Sequence, residues 1–279
     1  KGFQDVDFYN IDTERPSFEE VISYLKESQP EILGISAVVS TSYYYVKKLS
    51  LAIKEILPDT LIVLGGAMAA SSHVLLKRTG VDLCVNDEGE KIFHNVCVRA
   101  TETKNPIDFK DIPGLVLVDG NGKLVNTGYG EPLLGEELYD IDWNDLIKST
   151  NTELFFPNPH INRSGYFEHD PRFHETHRLN KTCSIISASK GCVSRCTFCH
   201  RWEKGIRFIP VELMMERIRE LVDRFNVGYL AFADQNFSTN KRYLKEFCEA
   251  IKEFDLLWFC STRVSRITNE ALDMMKDAG

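Results

Sequence analysis

The stretch Ser184-Ile-Ile-Ser-Ala-Ser-Lys-Gly-Cys-Val-Ser-Arg-Cys-Thr-Phe-Cys199 decides the fold and chemistry of this chain. It begins as an apolar, strand-like run and ends in three closely spaced cysteines, Cys192, Cys196 and Cys199. A C-x₃-C-x₂-C spacing lets three thiolates reach one soft metal site from a short loop. Three ligands leave a four-coordinate site one protein ligand short, so the spacing favours an open coordination position.

A closed metal site is the alternative. A structural zinc ion or a closed iron–sulfur cluster needs a fourth protein ligand, and the candidates are His200, Cys183 and Cys260. The difference matters because only an open position lets a further molecule bind the metal directly.

The sequence around the cysteines predicts part of a β/α barrel. The strand-like run Ser184–Ser189 precedes the cysteine loop, and a helical pattern follows from Val211 to Phe225. Two more strand-like runs occur at Tyr229–Ala233 and Trp258–Thr262. A strand, a loop and a helix in this order place the cysteines at the carboxyl-terminal mouth of the barrel, where reacting groups usually lie.

The cysteine triad, with the aromatic Phe198 before its last member, resembles the signature of the radical S-adenosylmethionine (radical SAM) superfamily. In that family three cysteines hold three irons of a [4Fe–4S] cluster, SAM chelates the fourth, and reductive cleavage of SAM gives a 5′-deoxyadenosyl radical. The resemblance implies that Cys192, Cys196 and Cys199 are metal ligands. It also implies SAM as cofactor and an external electron donor such as flavodoxin or ferredoxin.

Composition limits the remaining possibilities. A chain of 279 residues can hold two domains with their own cores. With 33 basic and 41 acidic residues, the formal net charge of −8 gives no general attraction to nucleic acid. We predict no membrane span and a cytoplasmic location, because no apolar run has transmembrane length and no signal-peptide pattern is present. Eight cysteines, three of them clustered, fit a reducing compartment.

The N-terminal third alternates strand-like and helical patterns. The strand-like segments are Asp5–Asp12, Glu31–Ala37, Leu61–Gly66 and Asp82–Asn86. Ser17 and Glu20 predict a capping box for a helix through Leu25. This alternation predicts an α/β fold with a Rossmann-like, doubly wound parallel sheet, which binds ligands at the carboxyl ends of its strands.

Three loops lie at that edge of the predicted sheet and contain hydroxyl groups, glycines and carboxylates. Their candidate residues are Ser40, Thr41, Gly65, Gly66, Glu88, Gly89 and Glu90. Glycines permit close backbone approach to a large ligand, and a helix N-terminus suits a phosphate. Taken alone, the pair Gly65-Gly66 is more simply explained as a tight turn.

Together with the triad downstream, the segments Gly34-Ile-Ser-Ala37, Leu64-Gly-Gly66 and Glu88-Gly-Glu90 resemble the cobalamin-binding domain of B12-dependent radical SAM enzymes. The resemblance implies that the three loops bind cobalamin. Many relatives have a histidine where this chain has Met68, and the Asp-x-His-x-x-Gly motif of B12 mutases is absent. The implied site therefore has no protein histidine on cobalt, and we expect His73 at the surface.

Between the predicted domains, residues 112–125 read as a β-hairpin that turns at Asp119–Gly122 and serves as a lid or strut. The following segment has little periodicity and contains His160, His169, His174 and His177 at spacings that match no compact metal motif. We predict three regions: a cobalamin-binding domain at 1–130 that lacks its first strand, a linker at 131–181, and the N-terminal half of a radical SAM barrel at 182–279. Both ends look truncated relative to the family, whose partial barrel has six strands.

Polar residues end the second and third predicted barrel strands. The family holds the SAM amino group at the second strand end, which implies Asp234, with Gln235 behind it. At the third strand end, Arg263 could pair with the methionyl carboxylate, and Ser261 or Thr262 could reach the ribose. The simpler alternatives are a capping aspartate for Asp234 and a surface salt bridge for Arg263. We expect Cys183, Cys248 and Cys260 to be buried apolar residues.

The resemblance implies a B12-dependent radical SAM methyltransferase that acts on an unactivated carbon or phosphorus of a small-molecule or peptide substrate. A cobalamin-dependent cyclase, oxidase or rearrangement enzyme is the alternative within the family. An iron–sulfur or zinc module without catalytic activity is the alternative from another class, and reductive SAM cleavage distinguishes it from the first two.

Overall fold

The computed structural model describes the chain except residues 1, 4, 145, 146, 148–150, 163, 164, 198 and 200–204. It forms two compact units. One comprises Pro16–Pro132, and the other comprises Lys1–Arg15 with Leu133–Gly279. In the described part of the chain, no helix combines the length and apolar character that crossing a membrane requires.

The Pro16–Pro132 unit is built on one five-stranded sheet, and its α/β class is the predicted one. The strands in spatial order are β1 (Ile32–Ser36), β2 (Leu61–Gly65), β3 (Leu83–Val85), β4 (Leu115–Val118) and β5 (Leu124–Asn126). The first three are parallel, and β4 and β5 are antiparallel. Ser36 pairs with Gly65, so the carboxyl ends of β1 and β2 lie side by side.

Helices of this unit form where the sequence places caps and apolar faces. They are α2 (Phe18–Ser28), α3 (Tyr43–Ile56), α4 (Ser72–Arg78) and α5 (Gly89–Ala100), preceded in the chain by the short α1 (Ile11–Glu14) of the other unit. The predicted capping box is confirmed, because Glu20 N–H donates to Ser17 Oγ and the Glu20 carboxylate accepts from Ser17 N–H. Val46, Leu49 and Ile53 of α3 recur at helical spacing and are buried.

The predicted strand at Asp5–Asp12 is wrong. Residues 5–10 have no regular secondary structure, and helix α1 begins at Ile11 with the Asn10 side chain as its N-cap. The alternating apolar residues Val6 and Phe8 are exposed. A strand needs a paired neighbour and a buried face, and this segment has neither in the described residues.

The predicted hairpin is confirmed and extends the sheet. Strands β4 and β5 pair through Val116–Asn126, Leu117–Val125 and Val118–Leu124, and β4 also pairs with β3. Asp119 Oδ1 accepts the N–H groups of Asn121 and Lys123, which closes the turn.

The second unit contains the three predicted barrel strands. They are β6 (Thr182–Ile186), β9 (Val227–Phe232) and β10 (Leu257–Cys260), all parallel, with β9 in the middle. A separate antiparallel ribbon pairs β7 (Ser189–Gly191) with β8 (Ile206–Phe208). The helices are α6 (Thr152–Phe155), α7 (Val211–Phe225), α8 (Lys241–Ile251) and α9 (Asn269–Asp277), and α7 has the predicted bounds.

Residues 131–181 differ from the predicted linker, because many of them belong to the core. Leu133, Leu138 and Phe156 join the cluster on the helix-covered face of the barrel strands. Phe167 and Phe173 pack on the opposite face. Both faces of a parallel sheet are apolar and need cover, and the helices cover only one of them.

One histidine of this segment has a defined structural role. The His160 ring stacks on Phe173 with 3.8 Å between centroids, and its Nε2 lies 2.9 Å from Tyr229 Oη. Burial, with a smaller contribution from the charge of His174, lowers the pKa of His160. A neutral ring suits this aromatic contact.

Replacing each of the two glycines at the end of β2, Gly65 and Gly66, with alanine should have different effects on stability. Gly66 has φ of +80°, and a Cβ there would lie 2.5 Å from Ala37 O, whereas a Cβ at Gly65 meets nothing within 4 Å. Gly66→Ala should lower the free energy of unfolding by more than about 1–2 kcal/mol, and Gly65→Ala should change it much less. Denaturant unfolding followed by circular dichroism measures both, and equal effects would contradict the described turn.

Candidate functional site

The cysteine loop is held at its base by the β7–β8 ribbon. Strand β7 ends at Gly191, directly before Cys192, and β8 receives the chain after the loop. Ser189 pairs with Phe208 and Gly191 with Ile206. The ribbon therefore fixes the positions of the two ends of the cysteine loop.

Within the loop, the three cysteines are accessible. Cys192 and Cys196 are half-buried and Cys199 is exposed. Cys192 Sγ accepts from Ser194 N–H at 3.4 Å, and Cys199 N–H donates to Cys196 O at 3.2 Å. Phe198 and His200, the predicted aromatic and the candidate fourth ligand, lie outside the described residues.

The described residues contain no group of three His, Cys, Asp or Glu side chains arranged to hold a metal ion. The three cysteines thus lie on one loop, but their described side chains are not close enough together to coordinate one metal ion. Thiolate sites assemble together with their metal, since the ligands must lose protons when it binds.

The remaining cysteines of the barrel unit are poor ligands. Burial raises the pKa of Cys183 and of Cys248 to about 11, and that of Cys260 to about 12. Cys183 and Cys248 are buried as predicted, and Cys260 is half-buried. Because these thiols are buried or half-buried and lose a proton less readily than free thiols, the accessible triad is the donor set that fits an iron–sulfur cluster.

The carboxyl ends of β9 and β10 carry the other predicted residues of this unit. Gln235, Ser261 and Arg263 are exposed, and Thr262 is partly buried. Arg263 Nη1 donates to Cys196 Sγ at 3.2 Å. The structure therefore brings the third strand end and the cysteine loop together.

Asp234 differs from its exposed neighbours, because its side chain is buried. Its Oδ2 accepts from Ala188 N–H at 2.9 Å, and its Oδ1 accepts from the Ser189 hydroxyl. Burial raises the pKa of Asp234, against the hydrogen bonds from Ser189 and Ala188, which lower it.

Sequence reasoning missed a buried polar network between the two strand ends. The Ser238 and Thr262 hydroxyls are hydrogen-bonded, and Thr262 Oγ1 also donates to Asn236 Oδ1 at 3.4 Å. Phe237 N–H donates to Ser261 O at 3.0 Å. The sequence feature that could have indicated this network is the largely polar run from Asp234 to Ser238, which follows the apolar strand β9. The network ties the loops after β9 and β10 into one surface.

In the Pro16–Pro132 unit, the three predicted loops follow adjacent parallel strands. Ser40 and Thr41 form an exposed 3-10 turn after β1, and Gly65 ends β2. Helix α5 begins at Gly89, with Glu88 buried at its N-cap. A Cβ at Gly65 or Gly89 would meet nothing within 4 Å, so the backbone there is open to a large ligand.

Other contacts fix this edge. Asp87 accepts from Glu88 N–H through Oδ1 and from Gly130 N–H through Oδ2, both at 2.9 Å, which holds the acidic turn. Met68 is buried, and its N–H donates to Ala37 O at 3.0 Å. His73 is exposed, as expected.

Comparison with known proteins identifies both units. A family model of the B12 binding domain matches residues 1–97, and a model of the radical SAM superfamily matches residues 186–279. The chain thus belongs to the proteins that join a B12-binding domain to a radical SAM domain.

Two enzymes illustrate the range of similar sequences. The chain is 26% identical to the anaerobic magnesium-protoporphyrin IX monomethyl ester cyclase of Rubrivivax gelatinosus, over 100% of this chain and 47% of the cyclase. It is 24% identical to the cytidylyl-2-hydroxyethylphosphonate methyltransferase of Streptomyces wedmorensis, over 94% of this chain and 51% of that enzyme. The chain therefore spans about half the length of these relatives.

A solved structure shares the fold. The radical SAM methyltransferase TsrM from Kitasatospora setae, with tryptophan and a SAM analogue bound, superposes with a TM-score of 0.73 at 16% identity. The match covers 100% of this chain and 52% of TsrM.

The cysteines should separate into two groups when replaced. In anaerobically reconstituted protein, Cys192→Ala, Cys196→Ala or Cys199→Ala should each abolish binding of about four irons and four sulfides, since each removes a thiolate ligand. Cys248→Ala and Cys183→Ala should retain the iron, because those thiols are buried and protonated. Iron and sulfide analysis measures the result, and loss of iron in Cys183→Ala would favour a closed site.

Proposed function

We propose that this chain is part of a B12-dependent radical SAM enzyme that transfers a methyl group to an unactivated carbon or phosphorus. The observation that carries the proposal is the accessible cysteine loop at the carboxyl ends of parallel strands, in one chain with an α/β unit whose glycine-lined edge is open. Parallel α/β folds bind ligands at this edge. We assign cobalamin to about residues 1–130 and the radical chemistry to 182–279.

In the barrel unit, Cys192, Cys196 and Cys199 would hold a [4Fe–4S] cluster. The exposed side chains around the strand ends are Gln235, Ser261 and Arg263, and they would bind SAM together with the partly buried Thr262. Asp234 lies beneath them and is buried. Arg263 is a bidentate donor suited to a carboxylate, and it already lies beside Cys196. Its position supports a role in orienting SAM next to the cluster.

In the other unit, cobalamin would lie across the three loops. Ser40 and Thr41 offer hydroxyls, and Gly65 allows close approach of the backbone, while Gly66 permits the positive-φ turn that follows β2. Glu88 is the N-cap residue of α5 and Gly89 and Glu90 begin the helix, whose N-terminal N–H groups attract negative charge. The residues assigned to these loops include no histidine, which supports cobalamin held without a protein histidine on cobalt.

When bound, the cluster supplies the electron for SAM cleavage and cobalamin carries the methyl group. The chain's residues position these groups, and an external donor such as flavodoxin or ferredoxin would deliver the electron. We expect the substrate to be a small molecule or peptide.

A cobalamin-dependent cyclase without methyl transfer is the second candidate. One observation favours it: the alignment with the Rubrivivax gelatinosus cyclase covers this chain completely. Both candidates use the same cluster, SAM and cobalamin. They differ in whether the methyl group of SAM reaches the product.

A bulky side chain at the open edge should expel cobalamin. Gly65→Leu should reduce the cobalamin retained on purification by more than about tenfold, because the side chain would fill the space above the backbone. Gly120→Leu is the matched control, since a Cβ there also meets nothing within 4 Å but lies in the hairpin turn. The absorbance of bound cobalamin measures retention, and equal retention by the two variants would place the site elsewhere.

The products of SAM distinguish the two candidates. Methyl transfer by this route should use two SAM molecules per turnover, so S-adenosylhomocysteine and 5′-deoxyadenosine should both accumulate. The assay uses the full-length enzyme, its substrate and SAM labelled in the methyl group. If the product carries no label and 5′-deoxyadenosine accumulates without S-adenosylhomocysteine, the methyltransferase proposal is wrong and the cyclase takes its place.

A further inference from the structure

Asp234 lies at the end of the central barrel strand and points inward. It follows β9 by two positions and is 4% exposed. Both carboxylate oxygens are used inside the protein, one by Ala188 N–H and one by the Ser189 hydroxyl. Since a buried carboxylate requires hydrogen bonds to offset its desolvation, these two contacts hold the side chain in place.

The two partners of Asp234 form the corner between β6 and β7. Ala188 and Ser189 are buried, and Ala188 O accepts from Ile209 N–H at 2.9 Å. The corner is thereby tied to the chain that returns from the cysteine loop. On its other side, Ala233 N–H donates to Ile186 O at 2.8 Å. Asp234 therefore joins the end of the central strand to the base of the cysteine loop.

Only the short strand β7 separates this corner from the first metal-ligand candidate. Ser189 begins β7, Gly191 ends it, and Cys192 follows. A rotation or shift of Ser189 would move the whole ribbon, because β7 and β8 are paired along their length. By contrast, the adjacent Gln235 is exposed and lies outside this set of contacts.

We propose that Asp234 is a positioning residue that fixes the cysteine loop through Ala188 and Ser189, and that the exposed Gln235 receives the ammonium group of SAM. This inference rests on the proposed function, and within it the contact to the SAM ammonium group is assigned to Gln235 in place of Asp234. An amide oxygen accepts hydrogen bonds from an ammonium group, so Gln235 has the required chemistry. A carboxylate that is already shared by two buried donors does not have to be freed for SAM to bind.

The test compares Ser189→Ala, Asp234→Asn and Gln235→Ala with the wild type. Ser189→Ala removes one donor and leaves the Asp234 carboxylate present. Asp234→Asn keeps the size of the side chain but cannot accept from both donors, because one oxygen becomes an amide nitrogen. Circular dichroism and the thermal midpoint report whether each variant folds. Ser189→Ala keeps the test valid if Asp234→Asn does not fold.

Each protein is reconstituted anaerobically with iron and sulfide and studied first without SAM. Ser189→Ala and Asp234→Asn should change the electron paramagnetic resonance spectrum of the reduced cluster and lower the bound iron by about twofold or more, since a buried contact at the loop base is lost. Gln235→Ala should match the wild type in both measurements. With SAM added to the oxidised cluster, Gln235→Ala should weaken the Kd by about tenfold or more.

If Ser189→Ala and Asp234→Asn both have the same spectrum and iron content as the wild type, the positioning role of Asp234 is wrong. Loss of SAM affinity in Asp234→Asn with an unchanged cluster, and unchanged affinity in Gln235→Ala, would assign the ammonium to Asp234. Failure of the wild type to assemble any cluster would instead overturn the proposed function, because the three cysteines would then have no iron to position.

Discussion

The fold of the barrel unit depends on burying both faces of three parallel strands. All six residues of the central strand β9 are buried. Leu230, Phe232 and Trp258 face the helices, whereas Tyr229 and Leu257 face the opposite side, because side chains alternate along a strand. Parallel sheets are stable only with cover on both faces.

That requirement explains the structure of the segment before the barrel. Phe167 and Phe173 supply cover for the second face, and Tyr166 stacks on Phe259 with 4.4 Å between ring centroids. Arg178, buried beside Glu175 and Asp255, closes the amino-terminal side of the same face. With the strands fixed from both sides, their carboxyl ends present the cysteine loop and its polar neighbours at one edge.

Each unit has an accessible edge at the carboxyl ends of its parallel strands, but different groups form that edge. In the Pro16–Pro132 unit, the open edge is made by backbone, since Gly65 and Gly89 leave space where other residues have side chains. In the barrel unit, the edge is made by side chains, with Asp234, Ser238 and Thr262 holding the loops from below. Exposed groups such as Gln235 and Arg263 then lie on a surface whose support is buried.

The sequence by itself determined the features that depend on local chemistry. These include the cysteine spacing, the capping box at Ser17, helix α7 at Val211–Phe225 and the approximate positions of β1, β2, β3, β9 and β10, because caps and periodicity act over a few residues. Only the tertiary structure decided the burial of Asp234, the packing of Leu133, Phe156, Phe167 and Phe173, and the absence of a strand at residues 5–10. Each of these depends on partners distant in the chain, and no local pattern specifies which buried surface a segment will meet.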